Sequence, residues 1–149
     1  MALHKAAATG DTQGLKDLLE RRRGVWRRRP NVDARDKEGW TPLHKAASYG
    51  QAETTALLLD HGANIHARGH GNWTPLHWAA AAGGPPSVAL LLDYGADTHA
   101  RDRHGATPLH WAAREGHTDS VRLLLDRGMD VDTGSKDGWT PLHWAAGQG

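Results

Sequence analysis

At 149 residues the chain is long enough for one domain with a continuous core, and its lack of cysteine excludes disulfides and thiolate metal sites. No stretch approaches the ~18 consecutive apolar residues of a membrane-spanning helix, so no membrane span is expected. The net charge of +1 conceals an asymmetry: six arginines and no acid lie from Arg21 to Arg29, leaving 12 basic against 17 acidic residues elsewhere.

The N-terminal run Met1-Ala-Leu-His-Lys-Ala-Ala-Ala breaks at Gly10, too soon for a signal peptide. With the missing cysteines, this points to a soluble cytoplasmic protein, the nucleus being the alternative. Leu3 to Gly10 predicts a short helix. Gln13 to Glu20 predicts a second, with Leu15, Leu18 and Leu19 on one face. The arginine-rich stretch with Trp26 reads as a basic loop. Its functional reading is an electrostatic handle for an acidic partner, against that of a plain solvated insertion, and it leaves nucleic acid open but unfavoured, because the acidic remainder would repel phosphate.

Beyond the loop, Thr41-Pro42-Leu43-His44 recurs at Thr74, Thr107 and Thr140, always 33 residues on. A fixed period of this size marks stacked repeats. The units run 1–35, 36–68, 69–101, 102–134 and a truncated 135–149; the first holds seven surplus residues, assigned to the basic loop. Within each unit Pro sits at the first helical position and Thr before it supplies a cap. Leu57, Leu58 and Leu59 give the second helix its apolar side, and Gly50 and Gly62 end the two helices. Asn72 replaces the glycine of the other units where a positive φ is expected. Gly83-Gly84-Pro85-Pro86 predicts a shifted or shorter second helix in the third unit. The fifth unit stops after its first helix. Leu142, Trp144 and Ala145 are therefore expected to present apolar surface and to favour self-association.

Around each tetrapeptide the fuller frame is Asp102-Arg-His-Gly105, Trp111-Ala-Ala-Arg-Glu-Gly116, Ser120-Val-Arg-Leu-Leu-Leu125 and Gly128. Thr-Pro-Leu-His-x-Ala at this period resembles the ankyrin-repeat family, and the match covers almost the whole chain. The resemblance implies an all-α solenoid of helix-turn-helix units linked by β-hairpin-like turns. It further implies a non-catalytic scaffold that binds a protein partner on its concave face and turn tips.

Carried over position by position, the expected contact residues are Lys37, Glu38 and Trp40 with Ser48 and Tyr49, then His70, Gly71 and Trp73 with Ala81 and Ala82. Arg103, His104 and Ala106 follow with Arg114 and Glu115, then Lys136, Asp137 and Trp139. Tyr49, Trp73, Arg103 and Arg114 are the expected hot spots. In the family the repeated His (His4, His44, His77, His110, His143) bonds the Thr of its own tetrapeptide and nearby backbone. One ring per unit cannot converge on a metal, so no metal or cofactor is expected. No hydrolase, zinc-protease or phosphate-loop motif occurs, and no enzyme activity is expected.

The tryptophans carry an alternative. Trp78 and Trp111 occupy one repeat position, and with Trp73 and Glu115 as counter-charge they are similar to the ankyrin domains of histone lysine methyltransferases that read methylated lysine. That reading makes Trp73, Trp78 and Trp111 an aromatic cage for a small cationic or planar ligand. The competing reading makes the rings core.

Overall fold

The computed structural model describes residues 1–20 and 30–147, among which there are nine α-helices and no strand. The helices are α1 (Ala2–Thr9), α2 (Thr12–Glu20), α3 (Pro42–Ser48), α4 (Ala52–Asp60), α5 (Pro75–Ala82), α6 (Pro85–Asp93), α7 (Pro108–Arg114), α8 (Thr118–Asp126) and α9 (Pro141–Ala146). They form two layers. The inner row stacks α1, α3, α5, α7 and α9, while α2, α4, α6 and α8 stack behind it. The basic insertion Arg21–Arg29 lies outside the described residues.

Small side chains let the inner helices close on one another: Ala7, Ala46, Ala47, Ala79, Ala80 and Ala112 are fully buried. Behind them one leucine per element, including Leu15, Leu58, Leu91 and Leu124, fills the space between layers. Gly50 at φ +66° and Gly83 at φ +68° turn the chain from inner to outer helix, a conformation costly for any other residue.

From α3 onward each inner helix starts on the same bond set, whereas α1 follows Met1 and has no side-chain cap. The backbone N–H of Thr41 donates to His44 Nδ1 at 3.1 Å and the Thr41 hydroxyl meets the same nitrogen at 2.9 Å. Thr74–His77, Thr107–His110 and Thr140–His143 repeat this pattern. The far nitrogen crosses to the next unit. Nε2 of His4, His44, His77 and His110 donates to the carbonyls of Trp40, Trp73, Ala106 and Trp139 at 2.9 to 3.2 Å. A neutral ring with its proton on Nε2 satisfies both ends, so the repeated His is a tie between units.

A second tie was not anticipated from the sequence. Arg35 reaches its own turn at Gly39 O and the next unit at Arg68 O, at 2.8 and 2.7 Å. Arg68 and Arg101 do the same one and two units later, to Arg101 O and Gly134 O. On the outer edge Tyr94 donates to Asp60 at 2.6 Å and Arg127 to Asp93 at 2.8 Å.

One of the two local expectations is corrected and the other holds with a change in the turn around it. The double proline neither shifts nor shortens α6: Pro85–Asp93 is nine residues long, like α4 and α8, and holds the same repeat register. Pro85 and Pro86 fill the first helical turn, whose N–H groups have no intrahelical partner to lose. Asn72 does adopt positive φ, +63°, but its turn is remodelled into a short 3-10 segment, His70–Asn72, with Gly71 also at φ +69°.

Candidate binding site

The predicted contact residues fall along the inner-helix side of the stack, on the turns that precede each inner helix and on that helix's C-terminal end. Lys37, Glu38, His70, Arg103, His104, Lys136 and Asp137 are exposed at the turn tips. Tyr49 and Glu115 are exposed at helix ends, whereas Ser48 and Arg114 are half-buried there. Two backbone bonds join successive tips edge to edge, Arg103 N to Gly71 O and Lys136 N to His104 O, both 2.9 Å.

Ala106 is the exception. It is completely buried, and its carbonyl accepts the His77 bond, so it belongs to the unit interface and not to the contact surface. Ser48 turns its hydroxyl back onto Lys45 O at 3.0 Å. His117 is likewise no free surface histidine: its Nε2 bonds Ala81 O at 3.0 Å.

The tryptophans join into a ladder. Ring centroids lie 4.2 Å apart for Trp40–Trp78, 4.3 Å for Trp73–Trp78 and 4.4 Å for Trp73–Trp111. Trp111 then meets Trp144 edge-on at 5.1 Å. All five are half-buried, while Trp139, above the last helix, is 53% exposed. The rings are thus neither sealed core nor open cage. Trp73 touches both Trp78 and Trp111, and these spacings leave no room for an ammonium group between the rings. The cations present lie outside: Lys45 Nζ is 4.0 Å from the Trp40 centroid, and the Arg114 guanidinium 5.1 Å from that of Trp111. Glu115 pairs with Arg114 at 3.8 Å.

Polar partners of the ladder vary by unit. Asp36 accepts Lys45 at 3.2 Å, and Asp102 accepts the indole N–H of Trp111 at 3.0 Å. Burial pushes the Asp36 carboxyl up, but the Trp40 N–H, Lys45 and the Glu38 N–H outweigh it and hold the group below its ordinary value. At the corresponding place in the third unit stands Gly69, and the Trp78 indole N–H is buried without a partner among the described residues.

Three recesses follow along this face. The first, of about 570 Å³, lies between Lys5, Lys37, Lys45 and Tyr49. A smaller one of about 220 Å³ is walled by Trp73, Trp78 and Trp111 under His70, Arg103 and His104. The third, of about 480 Å³, holds Arg114, Asp137, Trp139 and Trp144. Among the described residues no three His, Asp or Glu side chains gather as a metal site needs, and no helix is long and apolar enough to cross a membrane.

A family model described as ankyrin repeats (3 copies) matches residues 3–102 and 87–149, and the chain belongs to that family. Over 60 residues it is 47% identical to mouse ankyrin repeat, SAM and basic leucine zipper domain-containing protein 1, covering 40% of this chain and 11% of that protein. Over 60 residues it is 43% identical to mouse protein phosphatase 1 regulatory subunit 12A, covering 40% of this chain and 5% of that protein. The matched segment is thus a small part of either relative. Ankyrin repeats generally mediate protein–protein interaction.

Proposed function

We propose that this ankyrin-repeat chain is a non-catalytic recognition module that binds a protein partner along its inner face and turn tips. The observation that carries the reading is division of labour. The residues that hold the stack (the leucines, the small alanines, Thr-His pairs and Arg35, Arg68, Arg101) are distinct from Lys37, Tyr49, His70, Arg103, Lys136 and Trp139, which project from one continuous side. A surface free of stacking duty, with three recesses and aromatic and arginine side chains, has the composition of interface hot spots.

The test is alanine at Tyr49, Trp73, Arg103 and Arg114 singly, against a partner identified by affinity capture. Loss of a hot spot costs about 2 kcal/mol or more in affinity. Changes at Tyr49, Arg103 and Arg114 leave the melting temperature nearly unchanged. If affinity is untouched at all four positions and is abolished at Asp60, Tyr94 or Arg122 on the outer helices, the partner sits on the convex side and the reading is wrong.

A further inference from the structure

The recess at Trp73 has a chemistry that its neighbours lack. Its walls are three indoles, and its rim carries Arg103, His70 and His104 without a carboxylate. Arg103 donates through Nε to His104 at 2.9 Å, which fixes the guanidinium over the turn tip. Among the described residues no carboxylate lies within ion-pair distance of Arg103, whereas Lys45 has Asp36 and Arg114 has Glu115. At about 220 Å³ the recess is smaller than the roughly 300–1,000 Å³ that enclose a small-molecule ligand. It has room for one side chain.

The wider charge distribution points the same way. The inner helices carry Lys5, Lys45 and Arg114 and no acid, whereas the outer helices carry seven acids against Lys16 and Arg122. An acidic segment is drawn to the inner side and repelled from the outer. A methylated lysine meets the reverse: an unpaired guanidinium at the rim and no carboxylate in the recess lining to balance its charge.

We propose that the recess under His70, Arg103 and His104, beside the contacting rings of Trp73, Trp78 and Trp111, receives a single aromatic side chain from an acidic segment of the partner protein, with Arg103 pairing a carboxylate beside it. The ring packs against the apolar indole wall of the recess, and the guanidinium makes the charge-assisted bonds that fix orientation. This rests on the inner-face reading above.

The test is isothermal titration of the full chain with synthetic probes: a glutamate-rich peptide holding one tyrosine, its alanine-for-tyrosine control, a lysine-rich peptide with the same tyrosine, a trimethyllysine peptide and an oligoadenylate. The acidic tyrosine peptide binds; affinity falls at least about tenfold for its alanine control and in Arg103→Ala. Arg103→Glu reverses the preference toward the lysine-rich peptide. Arg103 is exposed and its side-chain hydrogen bond goes to the exposed His104, so unchanged melting temperatures separate lost contact from lost fold.

No binding of the acidic tyrosine peptide, equal affinity for its control, indifference to Arg103→Ala, or tighter binding of the trimethyllysine or oligoadenylate probe overturns the proposal. If affinity is instead lost in Tyr49→Ala or Arg114→Ala, the contact moves along the inner face and only this proposal fails. If Asp60→Ala alone removes it, the inner-face reading fails too.

Discussion

Trp111 donates its indole N–H to the Asp102 carboxylate at 3.0 Å, while the indole N–H of Trp78, its counterpart one repeat earlier, has no acceptor among the described residues, Gly69 standing where that aspartate does. The carboxylate does more than accept the indole. Asp102 also takes the backbone N–H groups of His104 and Ala106 at 2.8 and 2.9 Å, and Asp36 takes those of Glu38 and Trp40. Without that carboxylate the third turn closes as a 3-10 segment.

Gly69→Asp should therefore stabilise the protein, by about 1 kcal/mol for the recovered hydrogen bond. The backbone at Gly69, φ −92° and ψ −159°, admits any side chain. A Cβ there stands 3.3 Å from His44 Nε2, so that ring must yield by a few tenths of an ångström. Asp36 and Asp102 fill the same place in their own units. A raised denaturation midpoint is the expected result; a lowered one would mean that the 3-10 turn needs glycine at this point.

Much of this was legible in the sequence. The 33-residue spacing placed four of the five inner helices, α3, α5, α7 and α9, because Pro and Thr fix each start and a glycine each end. The same period also held signals that single-residue reading passed over. Arg35, Arg68 and Arg101 recur at it, yet an arginine beside a turn looks solvent-exposed until its two carbonyls are seen. Pro85 and Pro86 suggested a disturbed helix because the residues were judged by type, whereas their position in the first turn decided the outcome. The ladder was hardest to foresee. Trp40 meets Trp78 and Trp73 meets Trp111 across units, and ring orientation depends on packing that no local pattern encodes.

Acid should weaken the stack through the buried histidines. Burial lowers the pKa of His77 from 6.5 to about 4, and His44 and His110 shift the same way. The geometry agrees: His77 Nδ1 accepts from Thr74, so a proton there would oppose the Thr74 N–H. Above pH 6.5 both folded and unfolded states keep His77 neutral and its contribution is complete. Between 6.5 and about 4 the unfolded chain takes the proton and the folded one does not, so stability falls as pH falls, by about 3 kcal/mol for His77. Denaturation midpoints measured across this window should decline, and His77→Gln, less stable at every pH, should show a shallower decline.

Trp73 is the joint of the ladder, in contact with Trp78, Trp111 and the His77 ring. Indoles this close and tilted at 50° and 53° couple their transitions, so the protein should show an exciton couplet in its circular dichroism. Trp73→Ala should remove most of it and cost about 3 kcal/mol, the lower end for a tryptophan truncation because the ring is only half-buried. A couplet that persists unchanged would place the coupling elsewhere, and a negligible stability loss would make Trp73 a surface residue that the partner alone requires.

The last inner helix carries the clearest unmatched apolar surface. Leu43, Leu76 and Leu109 are at most 1% exposed, but their counterpart Leu142 is 76% exposed. Beside it Leu109, Val121, Leu125, Val131 and Ala145 line an apolar groove of about 410 Å³. Trp144 is only half-exposed because His110 and Trp111 cover its ring, so Leu142 is the exposed centre of this end. An uncovered patch of this kind favours association. Sedimentation velocity should show a concentration-dependent rise in mass for the 149-residue chain. Leu142→Glu should abolish that rise with little change in melting temperature, because the side chain makes no buried contact to lose. A chain that stays monomeric at every concentration, with or without the glutamate, would show that this face holds no affinity for a second copy.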